Sequence, residues 1–178
     1  PGAGHSSPGA FIEVNGTILF TATSSDNGTE LWKTDGTESG TVLVKDIYAG
    51  STSSTPAGFT ILNNTLYFVA ATAANGRELW KSDGTEAGTT LVKDILAGAA
   101  HGAQSDLEIV NGTIFFAANN GSIGRELWKS DGTTAGTVLV KDINPGTTTS
   151  DPGMLTKVGN TLFFRAFTSN GTELWKSN

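Results

Sequence analysis

The chain has 178 residues with a formal net charge of −6, and only 16% of them are charged. An acidic chain without clustered lysine and arginine is a poor match for phosphate or anionic lipid, so we expect no nucleic-acid partner and no membrane insertion. The 23 glycines predict a β protein rich in tight turns, and the absence of cysteine excludes disulfides, thiolate metal ligands and cysteine nucleophiles.

The first copy of the pattern predicts four short strands, at 11–14, 17–23, 29–34 and 41–47. Asn15-Gly16 separates the first two and suits a type I′ hairpin turn, in which both central residues have positive φ. The corresponding pairs in later copies are Asn63-Asn64, Asn111-Gly112 and Gly159-Asn160. Three successive hairpins make a four-stranded antiparallel meander.

The whole unit recurs about every 48 residues. The string ELWK begins at Glu30, Glu78, Glu126 and Glu173, DGT begins at Asp35, Asp83 and Asp131, and LVKDI begins at Leu43, Leu91 and Leu139. We therefore divide the chain into one array of copies at 1–48, 49–96, 97–144 and 145–178. The array begins at Pro1 without methionine, and the fourth copy stops before its DGT, so we expect part of a larger propeller or assembly.

The second strand of each copy is apolar at consecutive positions, at 18–20, 66–68, 114–116 and 162–164. A strand of this kind is buried on both faces. Sheets covered on both sides by copies of themselves predict an all-β fold, a β-propeller of four-stranded blades whose last blade is incomplete. The alternative is an open stacked-sheet β-solenoid array.

The repeated charges predict ion pairs in the outer hairpin of each blade. If Thr34 faces Thr41, Glu30 lies opposite Lys45. Opposite charges across a ladder stabilise by roughly 0.2–1 kcal/mol. The predicted pairs are Glu30 with Lys45, Glu78 with Lys93, and Glu126 with Lys141; a register that places Glu30 opposite Asp46 contradicts them.

The strings ELWKTDGT and ELWKSDGT resemble the ELWxxDGT-repeat proteins of bacteria, and the resemblance covers all four copies, although the last lacks DGT. It implies a large repeat protein that is secreted or located at the cell surface. It supplies no catalytic residues.

Catalytic and metal sites have little support in the sequence. The two histidines, His5 and His101, occupy equivalent loop positions in copies one and three, and no hydrolase, metalloprotease or nucleotide-binding motif is present. We therefore predict no enzyme, no cofactor and no metal centre. The Asp35-Gly36-Thr37 segment fits a turn better than a calcium loop, while the acidic composition leaves weak Ca²⁺ binding open.

Candidate ligand-binding residues fall into two groups. Trp32, Trp80, Trp128 and Trp175 recur once per blade and either fill the gap between blades or stack on a sugar ring. The loops after the second and fourth strands vary most between copies and are expected on one face, which places His5, Tyr48 and His101 among the candidates.

Two functions of different classes remain. The first is an extracellular, non-catalytic binding or adhesion module that recognises a glycan or protein through repeated shallow sites. The second is a structural subunit of a fibre or surface layer, assembled with other copies of itself through an open blade edge. The partner is thus a glycan, a protein or another copy of the chain in a homo-oligomer.

Overall fold

The computed structural model describes residues 5–178, which form fifteen β-strands and contain no helix. The strands make four antiparallel sheets, and in each sheet the spatial order follows the chain order. The first sheet contains β1 Gly9–Val14, β2 Thr17–Ser24, β3 Gly28–Thr34 and β4 Val42–Lys45, and the second contains β5 Ala57–Leu62, β6 Thr65–Thr72, β7 Gly76–Ser82 and β8 Thr90–Lys93. The third contains β9 Glu108–Val110, β10 Thr113–Asn119, β11 Arg125–Ser130 and β12 Val138–Lys141, and the fourth contains β13 Gly153–Val158, β14 Thr161–Thr168 and β15 Gly171–Ser177.

The turn between the first and second strands follows the sequence. Asn15 and Gly16 have φ angles of 51° and 79°, so both occupy the left-handed region that a type I′ turn requires. The next two sheets repeat this geometry. In the fourth sheet only Gly159 has a positive φ, of 60°, which is the pattern of a type II′ turn and departs from the prediction for Gly159-Asn160.

The fourth strands are shorter than the predicted 41–47 because a β-bulge interrupts their pairing. Trp32 faces Leu43, but Leu31 faces Lys45, which leaves Val44 as the extra residue. The second and third sheets have the same shift. A bulge twists a strand and ends regular pairing.

Consecutive sheets pack face to face, and a buried apolar cluster lies between each pair. Where the backbones of two sheets approach each other most closely, at least one of the two strands is the first strand of its sheet, as in β1 with β5 and β5 with β9. Farther out, on the third strands, tryptophan side chains fill the space: Trp80 lies between the first two sheets and Trp128 between the second and third.

Sheets that approach along their first strands and separate outward radiate like propeller blades. The meander blades are those predicted, including an incomplete last one. All strand pairings within the described residues are antiparallel, which differs from the parallel coils of a β-solenoid.

Candidate functional site

Two sets of variable loops meet at one end of the sheets. One set joins the second and third strands of a sheet, and the other joins a sheet to the next. Gly28 lies so close to the second set that an added Cβ would stand 2.8 Å from the Ser53 nitrogen, and Gly124 approaches the Thr148 carbonyl in the same way. Both have positive φ, so glycine is required for conformation and for space. The two sets therefore form one surface, here called the loop face.

Buried glutamates fix the base of the loop face. Glu30, in β3, has no exposed surface and accepts hydrogen bonds from the Ile47 N–H at 3.1 Å, the Ser54 N–H at 2.8 Å and the Ser54 hydroxyl at 2.5 Å. Burial raises the pKa of Glu30, and the hydrogen bonds from Ser54 oppose that rise. Glu126 is held in the same way by Ser150, whose hydroxyl is 2.6 Å from Oε2. The carboxylate ties the start of the between-sheet loop to its end.

The second repeat lacks one of these partners. Gly102 occupies the position of Ser54, so Glu78 receives no hydroxyl, and its buried Oε2 has no hydrogen-bond partner. Its Oε1 still accepts from the Leu96 N–H at 3.0 Å. Burial, with a smaller contribution from the charge of Asp94, raises the pKa of Glu78 to about 7. Sequence comparison of the copies contains this signal, since glycine replaces serine at one of three equivalent positions.

The histidine position has a structural role in the loop face. The His101 Nδ1 accepts a hydrogen bond from the Arg77 N–H at 3.0 Å. Ser53 and Thr149 accept from the equivalent N–H groups of the first and third sheets, at 2.9 and 3.2 Å. His5 is exposed before β1. Because serine and threonine accept the equivalent hydrogen bond in the other sheets, this structural role does not depend on the imidazole ring.

Tyr48 stands in the first between-sheet loop and is half-buried. Its backbone N–H donates to Glu30 Oε1 at 3.4 Å, so its main chain belongs to the base of the loop face. Its role as a ligand contact stays a prediction.

A groove of about 290 Å³ opens at the loop-face end of the fourth sheet, lined by Thr149, Asp151, Arg165, Phe167 and Thr172. Asp151 forms the one salt bridge among the described residues, with Arg125 at 2.7 Å. Arg165 and Phe167 are exposed and belong to this copy alone. We here call this the Arg165 groove.

The second strands show how unusual Arg165 is. The three positions equivalent to it are Thr21, Val69 and Ala117, which are at most 9% exposed. Arg165 therefore occupies a position where the other three sheets have a small or apolar side chain that is buried. Arg165 was not among the predicted site residues, although the aligned copies contain this signal in the segments TILFTAT, TLYFVAA, TIFFAAN and TLFFRAF.

The predicted ion pairs of the outer hairpins do not form. The bulge places Lys45 opposite Leu31 and not opposite Glu30, which contradicts the predicted pairing. The same shift separates Glu78 from Lys93, and Glu126 from Lys141. Each glutamate binds loop N–H groups instead.

The lysines of the ELWK and LVKDI motifs donate hydrogen bonds to the backbone of the following sheet. The Lys33 Nζ donates to the Gly84 carbonyl at 3.0 Å, and the Lys45 Nζ donates to the Thr89 carbonyl at 2.9 Å. One repeat later, Lys81 and Lys93 bind the carbonyls of Gly132 and Thr137, at 3.2 and 2.7 Å. In each case a lysine of one sheet binds the backbone of the DGT turn or the residue before the fourth strand of the next.

Trp80, Trp128 and Trp175 pack in the apolar clusters between neighbouring sheets, whereas Trp32 belongs to none of these clusters. Trp80 and Trp128 are only 7% and 6% exposed, so neither ring presents a face to a sugar, and the ligand role predicted for them is incompatible with this packing. Trp32 and Trp175 are half-buried, and the Lys141 Nζ lies 5.3 Å from the ring centre of Trp175.

Each DGT segment is held by hydrogen bonds between its own residues. Asp35 Oδ1 accepts from the Thr37 N–H at 2.9 Å and from its hydroxyl at 2.7 Å, and these bonds hold the pKa of Asp35 below its usual value. Within residues 5–178 no three His, Asp or Glu side chains are grouped closely enough to hold a metal ion. The same residues include no helix long and apolar enough to cross a membrane.

Neither a family model nor a curated protein matches this chain. Among solved structures, it is similar to an alpha-L-arabinofuranosidase from Clostridium thermocellum, with 11% identity over 89% of this chain and 80% of that chain. The TM-score is 0.29, which carries no argument about activity. Because that similar protein is an enzyme, the prediction that the chain is not an enzyme is withdrawn, and no activity is assigned in its place.

Proposed function

We propose that the chain is an extracellular binding or adhesion module of the ELWxxDGT-repeat type, secreted or held at the cell surface, which recognises a glycan or protein on its loop face. The supporting observation is the Arg165 groove, because it combines side chains for two kinds of contact. An exposed aromatic ring, Phe167, offers an apolar stacking surface. Thr172 and Arg165 offer hydrogen-bond donors around it.

The geometry of the loop face favours recognition. The buried glutamates and the close-packed glycines hold the loop bases in the same structure in each copy. The exposed loop residues can therefore differ between copies without a change in the supporting backbone. Binding residues commonly lie on loops that a rigid scaffold positions. A fixed base also reduces the conformational entropy that a loop loses when it binds a ligand.

The test is a glycan-array screen of the chain, followed by titration calorimetry with the strongest ligand. Replacing Arg165 and Phe167 with alanine is expected to weaken binding at least tenfold. The Lys157→Ala variant is the matched control, because Lys157 is exposed on the same sheet and its strand continues into the opposite, hairpin end. Equal binding by all variants contradicts a site in the groove.

A second candidate function is a structural subunit of an extracellular fibre or surface layer. It is favoured by β15, whose outer edge pairs with no strand among the described residues. Free strand edges associate with other chains. Negative-stain electron microscopy of the purified chain separates the two functions: fibres or sheets support the structural subunit, and discrete particles support the binding module.

A further inference from the structure

The second repeat differs from its neighbours at three consecutive positions in the loop that follows its fourth strand. The first and third repeats have Ser53-Ser54-Thr55 and Thr149-Ser150-Asp151 there, and every one of these residues carries a side-chain oxygen. The second repeat has His101-Gly102-Ala103 instead. Its sheet packs against a neighbour on both faces, so the difference lies in the interior of the array.

Arg77, at the start of β7, is left without a counter-ion by this difference. The equivalent residue one repeat later, Arg125, forms a salt bridge with Asp151 at 2.7 Å. Ala103 occupies the position of Asp151 in the second repeat. The Arg125 bridge is the one salt bridge among residues 5–178, so no described carboxylate forms an ion pair with Arg77. Arg77 is half-buried at the loop face and keeps an unneutralised charge.

The guanidinium of Arg77 is held in place by its surroundings. Its Nη2 donates a hydrogen bond to the Thr55 hydroxyl at 2.8 Å, and its Nε is buried. Its Nη1 makes no hydrogen bond within residues 5–178 and is left for a ligand. A planar cation that is already positioned loses less conformational freedom when it binds an anion.

The groups next to Arg77 are neutral or point away from it. The His101 Nδ1 accepts from the Arg77 N–H, which assigns the proton of a neutral imidazole to Nε2 and makes that nitrogen a second donor. Ala100 is exposed, and its carbonyl lies against Gly76, so its methyl group offers a small apolar surface beside Arg77. Glu78 is fully buried and projects from the opposite face of the strand.

We propose that Arg77, Thr55 and His101 form a binding site for the carboxylate of a uronate, an acidic sugar, on the loop face of the second repeat. The guanidinium donates charge-assisted hydrogen bonds to the carboxylate. The His101 Nε2–H and the Thr55 hydroxyl bind hydroxyls of the sugar ring. A single uronate fits better than an acidic polypeptide, because further carboxylates would meet a chain with a net charge of −6.

The test titrates methyl glucuronide into the full chain and follows the backbone amides by NMR spectroscopy. We expect saturable shifts at Arg77 and His101 that weaken as salt is added, because salt screens exposed charges. Methyl glucoside has a hydroxymethyl group in place of the carboxylate and is expected to bind about tenfold more weakly. Equal affinity for the two sugars overturns the proposal. A capped glutamate peptide that binds more tightly than the glucuronide also overturns it.

Matched variants separate a ligand contact from a structural role. Arg77→Gln is expected to weaken glucuronide binding about tenfold, whereas Arg125→Gln, the same change where Asp151 already neutralises the charge, should leave it unchanged. Thr55→Asp supplies Arg77 with a counter-ion and should weaken binding as much. The backbone accepts aspartate there, because Thr55 and Asp151 have φ angles of 49° and 46°. Unchanged affinity in Arg77→Gln or in a folded Thr55→Asp chain overturns the proposal.

The inference rests on recognition by the loop face but does not use the Arg165 groove. A double variant with alanine at Arg165 and Phe167 is therefore expected to bind methyl glucuronide as tightly as the parent chain. Loss of glucuronide binding in this variant overturns the Arg77 site. Retained binding supports it even if the groove itself proves to bind nothing, so the two proposals can fail separately.

Discussion

The carboxylate of Glu78 is buried with one oxygen unpartnered, while its equivalents Glu30 and Glu126 each receive a serine hydroxyl. The same glutamate position therefore has two environments within one chain. A buried acceptor without a donor keeps most of its desolvation cost, about 1–3 kcal/mol. The loop base of the second repeat therefore depends most strongly on protonation.

The first prediction concerns the pH dependence of stability. The pKa of Glu78 is about 7 in the folded chain and near 4.5 when unfolded, so the unfolded state releases its proton first as pH rises. The free energy of unfolding is expected to fall between about pH 4.5 and 7, by at most about 3 kcal/mol from this group. Urea unfolding at several pH values measures it.

The Gly102→Ser variant isolates the contribution of Glu78. The new hydroxyl restores the partner that Ser54 and Ser150 provide, once the Glu78 carboxylate rotates away from the added Cβ. We expect a smaller loss of stability between pH 4.5 and 7 than in the parent chain. Ser54→Gly should strengthen the pH dependence in the first repeat, because it removes the hydroxyl that opposes the raised pKa of Glu30. Parallel pH curves for the parent chain and Gly102→Ser would refute the assignment.

The second prediction concerns His101. Because Ser53 and Thr149 accept the equivalent hydrogen bond, His101→Ser should change the free energy of unfolding by less than about 0.5 kcal/mol. His101→Ala removes the acceptor and should cost roughly 0.5–1.5 kcal/mol. Denaturant unfolding compares them, and a serine variant as unstable as the alanine variant would mean that the imidazole has another role.

Among the elements, the DGT turn is the most self-contained. In the third sheet, Thr133 donates to Asp131 from both its backbone N–H and its hydroxyl, and that hydroxyl also accepts from the Gly136 N–H at 2.9 Å. A Cβ at Gly136 would collide with the Asp131 carboxylate. The turn is closed by side chains of its own residues.

The third prediction follows from that collision. Gly136→Ala should cost about 1–2 kcal/mol, since the Asp131 side chain must leave its hydrogen bonds to Thr133. In an Asp131→Gly background the same substitution should cost much less, because the clash is gone. A double-mutant cycle of unfolding free energies measures the coupling, and additive costs would show that the clash is relieved without loss.

The sequence predicts the elements well where local chemistry decides them. Asn-Gly pairs specified the hairpin turns, and consecutive apolar residues identified the doubly buried second strands. The sequence did not predict the β-bulge at Val44, because a bulge depends on the pairing between two strands and not on the composition of either strand. That single extra residue changed the partner of Glu30 from Lys45 to loop N–H groups, so the ion-pair prediction was wrong for a geometric reason.

At the scale of the whole molecule, consecutive sheets pack against each other, and each interface has its own apolar cluster. Stability in such arrays is close to a sum of repeat and nearest-neighbour terms. The middle sheets have two packed faces each, and the fourth sheet exposes apolar side chains such as Met154 and Leu174, at 74% and 77%. The repeat pattern predicted this arrangement. Alignment of the copies could also have identified Arg165, whereas the lining of the groove beside it required the fold.

The fourth prediction is a gradient of local stability. Backbone amides of β6 and β10, in the middle sheets, should exchange more slowly with deuterium than those of β14, because fewer contacts must break to open the fourth sheet. Hydrogen exchange with mass spectrometry measures it in the 178-residue chain. Uniform protection across the three strands would show that the array unfolds as one unit.

The lysines that join neighbouring sheets bind main-chain carbonyls, as Lys33 does with Gly84 and Lys81 with Gly132. Any sequence that adopts the DGT turn presents these oxygens, so a sheet recognises its neighbour by shape and not by a particular side chain. Repeats are therefore interchangeable in principle. A gene that encodes them can gain or lose whole copies through recombination between near-identical segments, and each new junction is already compatible with both of its neighbours.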